Sequence, residues 1–217
     1  MNTMNELDNQ KAYWDGVTVE KKFTHPIRLD LFRELVPLGS NILDYGCGYG
    51  RTCAELVKSG YKDIVGVDIS SEMIKHGLLL YPSLNLQYIE GSILPFSDNT
   101  FAACTLLAVL TCIPTDAGQK ELINELHRVL HPNGILYLSD YPLQKDARNN
   151  ERYNQFKDAY KKFGVFRLSD GGVVRHHDMP WIYALLSRFD IIKEDNIEVT
   201  TMNGNAAEAF QIIAKKR

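Results

Sequence analysis

Between residues 41 and 140, short apolar runs alternate with longer segments whose apolar positions recur every three or four residues. The runs are Asn41-Ile42-Leu43-Asp44, Asp63-Ile64-Val65-Gly66-Val67-Asp68, 84–90, 101–107 and 135–139. Short apolar runs bounded by turn residues read as strands, and the longer periodic segments read as helices. A helix over 51–58 ends at Ser59-Gly60, a good C-terminal stop. The next, capped by Ser70 or Ser71, carries Met73, Ile74 and Leu78 and is broken at Pro82-Ser83. In 84–90, Leu86, Tyr88 and Glu90 share one face, and Gln87 and Ile89 the other. The run from Phe101 to Leu110 is too long for a typical buried strand. It divides into a strand over 101–107 and a connection through Cys112-Ile113-Pro114. The clearest helix covers 116–130, with Leu122, Ile123, Leu126, Val129 and Leu130 at helical spacing, and 131–134 is a turn.

The flanks differ from this core. Helices are expected over 5–15, ending in Tyr13-Trp14-Asp15-Gly16, and over 26–35, with Pro26 in the first turn. Together 1–38 form an N-terminal helical cap on a core of 39–140. After Asp140 the pattern turns polar and aromatic. A helix over 151–163 and a hairpin of 165–167 with 173–175, around Leu168-Ser169-Asp170-Gly171-Gly172, make 141–178 a lid-like insertion. A helix over 180–187, with Asp178 as its N-cap, precedes a second hairpin of 191–201 and 209–214. That hairpin closes the sheet with an antiparallel strand, so 179–217 complete one domain of 1–217. The fold class is α/β: a doubly wound, seven-stranded, mainly parallel sheet.

Composition adds bounds. The chain has 217 residues, 45% hydrophobic and 24% charged, with a formal net charge of −3. No strong basic footprint for nucleic acid is present. No apolar run is long enough to span a bilayer, and the first ten residues lack the apolar core of a signal peptide. A cytoplasmic protein with neither nucleic-acid nor membrane partner is expected. The oligomeric state is not legible. Cys47, Cys53, Cys104 and Cys112 form no C-x-x-C pair, so buried free thiols are expected and no metal site.

The candidate chemistry lies at the strand ends, where open α/β sheets bind ligands. Asp44-Tyr45-Gly46-Cys47-Gly48-Tyr49-Gly50-Arg51 joins the first strand to a helix. Glycine permits the tight turn and close ligand approach, and the helix points free N–H groups at the same place. A dinucleotide fingerprint would place its third glycine where Arg51 stands. The acid Asp44 suits an ammonium better than a pyrophosphate. Asp68 ends the second strand, where two carboxylate oxygens can accept from a ribose diol.

The Asp-x-Gly-x-Gly-x-Gly pattern resembles motif I of the class I S-adenosylmethionine-dependent methyltransferases. Val65-Gly66-Val67-Asp68-Ile69-Ser70, Glu90-Gly91-Ser92-Ile93-Leu94-Pro95-Phe96 and the segment from His127 to Leu136 are similar to later stretches of that family, in order, over about 40–140. The resemblance implies a Rossmann-type sheet and a small-molecule methyltransferase. It implies S-adenosylmethionine as cofactor and S-adenosylhomocysteine as product. It assigns Asp44, Gly46, Cys47, Gly48, Gly50 and Arg51 to the amino-acid part, and Asp68 and Ile69 to the ribose and adenine. Ser92 and Ile93 go to the adenine, Leu107 to the sulfonium, and Tyr13 to closure over the site. Ser92 stands where members often carry Asp, and Phe101-Ala102 where many have Phe-Asp. Asn-Pro-Pro-Tyr and Pro-Cys signals of nucleic-acid methyltransferases are absent, which favours a small-molecule acceptor. Candidate catalytic residues are Tyr141, His176 and His177, although adjacent histidines on a strand point to opposite faces. His25 and His127 read as surface or packing residues. Two alternatives stand beside this reading: a non-catalytic S-adenosylmethionine-binding protein and an NAD(P)-binding oxidoreductase.

Overall fold

The computed structural model describes residues 6–217. The chain runs α1 (Lys11–Gly16), α2 (Leu29–Leu35), β1 (Asn41–Tyr45), α3 (Arg51–Lys58), β2 (Asp63–Asp68), α4 (Ser71–Leu80), β3 (Asn85–Tyr88) and β4 (Phe101–Leu107). A 3-10 turn, Leu110–Cys112, leads to α5 (Asp116–Val129) and β5 (Leu130–Asp140). Then come α6 (Ala147–Tyr160), β6 (Val165–Arg167), β7 (Val173–Arg175), α7 (Met179–Leu185), β8 (Phe189–Thr200) and β9 (Ala206–Lys216). Seven strands make one sheet in the order β3-β2-β1-β4-β5-β9-β8, and β6-β7 form a separate ribbon. The pairs from β3 to β5 are parallel, and β9 runs antiparallel to both neighbours. This is the expected Rossmann-like sheet with its last strand antiparallel.

Alternation along β1 explains the layers. Leu43 packs with Leu122, Ile123 and Leu126 of α5 and Ile182 of α7. Ile42 packs with Phe32 of α2 and Ala54 and Leu56 of α3 on the other face. A strand buried on both faces needs apolar residues at every position, which is why β1 reads as a run rather than an alternation. The chain leaves β1 toward β2 and returns to β4 on its other side, so the switch point lies between β1 and β4. A crevice opens there by construction.

Several boundaries move for reasons of tertiary contact. The first helix, expected over 5–15, begins at Lys11, and Asn5 lies outside the described residues. Gln10 spends its amide on the Cys112 and Val173 carbonyls, at 2.8 and 2.7 Å, instead of capping. Asp8, 2% exposed, accepts from Thr115 N and Oγ1 at 3.0 and 2.5 Å. The second helix starts at Leu29, because Pro26 O accepts from Gln211 and Arg28 N donates to Tyr137 Oη. α6 begins four residues earlier than expected, at Ala147, where Asp146 caps it by accepting from Asn149 N at 3.0 Å. Residues 131–134 do turn, with Asn133 at φ 65°, but inside β5: Leu130 already pairs with Phe101 before the register shifts. In the final hairpin β8 begins two residues earlier than expected and ends one residue sooner, and β9 is longer at both ends. No described helix is long and apolar enough to cross a membrane.

Candidate active site

The crevice is built by the turn after β1. Gly46, Gly48 and Gly50 take φ of 69°, 55° and 82°, the left-handed region that disfavours a Cβ. Gly46 N and Cys47 N donate to Val67 O at 2.8 and 3.0 Å, folding the turn over the end of β2. Gly48 N and Ser70 N donate to the two oxygens of Asp68, each at 2.8 Å. Asp68 therefore ties the glycine turn to the α4 approach and keeps part of its acceptor capacity free. Burial dominates its environment and pushes its pKa up to about 6.

Asp44 is 2% exposed and accepts from Thr105 Oγ1 at 2.6 Å and Cys53 Sγ at 3.3 Å. Desolvation raises its pKa to about 6 as well. Two carboxylates on one cavity wall, Asp44 buried and Asp68 half-buried, with no cation hydrogen-bonded to either, are a poised site for positive or hydroxyl-rich groups. Arg51 lines the same cavity; its terminal nitrogens bond Glu55 at 2.8 Å and the His25 carbonyl, and its buried Nε has no protein partner. The four thiols are free and all are raised: Cys47, Cys104 and Cys112 chiefly by burial, and Cys53 because the lowering hydrogen bond with Cys47 is outweighed by burial and Asp44 together.

Asp44, Gly46, Cys47, Arg51, Asp68, Ile69, Leu107 and Tyr141 line one cavity together. Gly48 and Gly50 shape the turn without lining it. Ser92 and Ile93 stay outside; Ile93 is 62% exposed, and Ile89 lines the wall instead. Tyr13 lines a second cavity, where its hydroxyl bonds Asp170 at 3.2 Å. Its neighbour Trp14 lines both cavities.

The sequence reading missed three wall elements. Phe23 stacks on Tyr49 of the glycine turn, with centroids 4.9 Å apart, and closes the cavity from the N-terminal segment. Ala108 takes φ 54° just past β4, beside Val109. His25, read as a packing residue, is 3% exposed and lines the cavity, and its Nε2 finds no protein partner. Burial lowers its pKa to about 4, so the ring is neutral. Only the Lys-Lys-Phe-Thr-His-Pro segment hinted at these, and nothing in its spacing tells a wall from a linker.

The candidate catalytic residues part company. Tyr141 lines both cavities and stacks on His176 at 5.3 Å. His176 lines the second cavity, and its Nδ1 bonds the Tyr153 hydroxyl at 2.5 Å. His177, 1% exposed, is among the lining residues of neither. Its Nδ1 lies 3.1 Å from the Tyr141 carbonyl, which only accepts, so Nδ1 carries the proton, and Nε2 lies 2.9 Å from Gln119 Nε2, whose two hydrogens are shared with the Leu110 and Ile113 carbonyls. Both ring nitrogens are spent on the fold, which is a structural role. Burial lowers its pKa to about 3. A neutral native histidine makes the unfolded state bind more protons below about pH 6.5, so stability drops as pH falls toward 3. His177→Gln should flatten that dependence by up to about 1.4 kcal/mol per pH unit. Denaturant titrations at pH 7 and 5 check it; an unchanged slope would reject the neutral buried imidazole.

Known proteins show the same architecture. The Methyltransferase domain family matches residues 43–138. A 2-phytyl-1,4-naphtoquinone methyltransferase of Nostoc sp. is 29% identical over 81% of this chain and 76% of that one. A demethylmenaquinone methyltransferase of Chlorobaculum tepidum is 30% identical over 75% of this chain and 62% of its own. A solved SAM-dependent methyltransferase of Methanosarcina mazei superposes with a TM-score of 0.81 at 28% identity, over 86% of this chain and 96% of that one. The domain match, these relatives and the solved structure together support the class I S-adenosylmethionine-dependent methyltransferase family, and an enzyme that is a methyltransferase.

Proposed function

We propose that this chain binds S-adenosylmethionine in the first cavity and directs its methyl group to a small-molecule acceptor entering from the second. One observation carries the reading: two desolvated carboxylates, Asp44 and Asp68, end adjacent strands around a left-handed glycine turn. Asp68 retains acceptor capacity for a ribose diol. Asp44 sets a negative potential beneath the turn that would hold an aminoacyl ammonium. The unpartnered Nε2 of His25 offers a further polar contact inside the cavity. When bound, the cofactor supplies an electrophilic sulfonium methyl, lost by in-line displacement.

The protein's own contribution is placement and exclusion of water. Trp14, Phe23 and Tyr141 form aromatic walls, and Leu107 and Val109 give an apolar floor at the end of β4. His25 and His176 are held neutral, with pKa values of about 4 and 3. A neutral imidazole of low basicity is a hydrogen-bonding group rather than a strong base, which suits an acceptor that arrives with a lone pair ready. The relatives named as 2-phytyl-1,4-naphtoquinone and demethylmenaquinone methyltransferases support an acceptor of small-molecule size.

Isothermal titration with S-adenosylmethionine, S-adenosylhomocysteine and NADH tests the cofactor. The two sulfur compounds should bind in the micromolar range and NADH should not. NADH binding without the others would restore the oxidoreductase reading. Consumption of S-adenosylmethionine across a panel of thiols, amines, phenols, carboxylates and chalcogen anions then tests turnover. Cofactor binding with no turnover anywhere would favour a non-catalytic binder.

A further inference from the structure

The second cavity adjoins the first and shares Trp14, Cys112, Tyr141 and Met202 with it. Its walls come from α1, α6, the β6-β7 ribbon and the turn between β8 and β9. Their charge is one-sided. Lys21, Arg148 and Arg152 line the cavity, and no carboxylate does among the described residues. Lys21 is neutralised by Asp170 at 2.5 Å and held by Asn203 at 2.7 Å. The two arginines are not neutralised in this way. They sit one turn apart on α6, on the same face. Arg148 lies 3.9 Å from Asp146, whose oxygens already accept from Asn149 N and Nδ2 at 3.0 and 2.5 Å. Arg152 has only a 3.4 Å contact with Asn149 Oδ1, and its guanidinium stacks over Phe166 with 4.6 Å to the ring centroid. Burial and the charge of Arg148 both press its pKa down, so a bound anion would relieve it. The ring holds the guanidinium in place, and its N–H groups, one 3.4 Å contact aside, are left for a planar anion.

We infer that the second cavity takes a methyl acceptor bearing an aromatic carboxylate, with the carboxylate against Arg148 and Arg152 and the ring among Phe166, Tyr141 and Trp14. This rests on the reading above in placing the acceptor beside the cofactor. Electrostatics then orients the acceptor: its anion is drawn to the arginines, away from the acids Asp44 and Asp68 in the first cavity.

Calorimetric titration tests the pocket without needing turnover. The probes are 4-hydroxybenzoate and 4-hydroxyphenylacetate against their neutral methyl esters, each with and without S-adenosylhomocysteine. At least one acid should bind about tenfold more tightly than its ester. Arg152→Gln and Arg148→Gln should each remove most of that advantage while ester and S-adenosylhomocysteine binding stay as in the wild type. The inference is overturned if no acid exceeds its ester, with neither binding included, or if both variants keep the wild-type preference. Failure of S-adenosylhomocysteine alone to bind would count against the cofactor reading instead, because the acid-to-ester comparison is also made without it.

Discussion

Asp68→Ala should weaken S-adenosylmethionine binding by about 100-fold or more. Hydrogen bonds to a charged acceptor contribute roughly 1.5–3 kcal/mol each, and a ribose diol would make two. The same change orphans Gly48 N and Ser70 N, which now bond the carboxylate at 2.8 Å. Each lost partner costs about 1–3 kcal/mol where water cannot replace it, so the turn itself should loosen. Asp68→Asn separates the two effects: one amide oxygen can keep a backbone partner, but the charge is gone. The wild type should also lose affinity as pH drops through about 6, since the raised pKa of Asp68 means half of the carboxylates are protonated there. That pH dependence should shrink in Asp68→Asn. Calorimetry at pH 7.5 and 5.5 reads both, and a less than threefold change in Asp68→Ala would remove the carboxylate from the cofactor site.

The opposite sign holds for folding. An acid whose native pKa is raised is protonated in the fold before it is in the unfolded chain. Asp44 and Asp68, at about 6, and Asp140, at about 7, therefore favour the cofactor-free fold as pH falls from those values toward 4. Neutral buried histidines oppose this over much of the same range, His25, His127, His176 and His177 among them. The binding site is thus costly at neutral pH in the absence of a ligand, a frequent property of sites that hold charged groups.

What could be seen in the sequence followed from local rules. The central strands β1, β2 and β4 were visible because doubly buried strands are apolar at nearly every position, whereas the edge strand β8 is largely exposed. The turn at Gly46 to Gly50 was visible because three left-handed residues in five positions require glycine. Asp68 was visible because it ends a strand. Ser92 and Ile93 were expected at the adenine from resemblance alone, and the loop carries them outside the cavity lining while Ile89 turns in. Phe23 and His25 were illegible as walls because the N-terminal segment crosses the sheet through contacts far away in sequence. Gln10 on Val173 and Asp8 on Thr115 are examples. No periodicity encodes such contacts. The arginines of α6 were equally hidden: their meaning depends on which acids are already engaged, and the capping role of Asp146 was not anticipated.

Gly48→Ala should cost at least tenfold in cofactor affinity and lower the unfolding temperature. Two physical effects add. Alanine at φ 55° pays roughly 1–2 kcal/mol for a left-handed backbone. Its Cβ would also stand 2.1 Å from Phe23 Cε2 and 2.6 Å from Cζ, far inside contact. The ring has little room to retreat, being stacked on Tyr49 and packed near Trp14 at 6.4 Å. If Phe23 moves, the N-terminal segment moves with it and the cavity opens to water. Phe23→Ala removes the clash and the wall together. The double variant should then be little weaker than Phe23→Ala alone, the residual loss being the backbone strain. Additive losses in the cycle would show that Phe23 and the glycine turn act independently. Wild-type affinity in Gly48→Ala would mean that the N-terminal segment does not close over the bound cofactor.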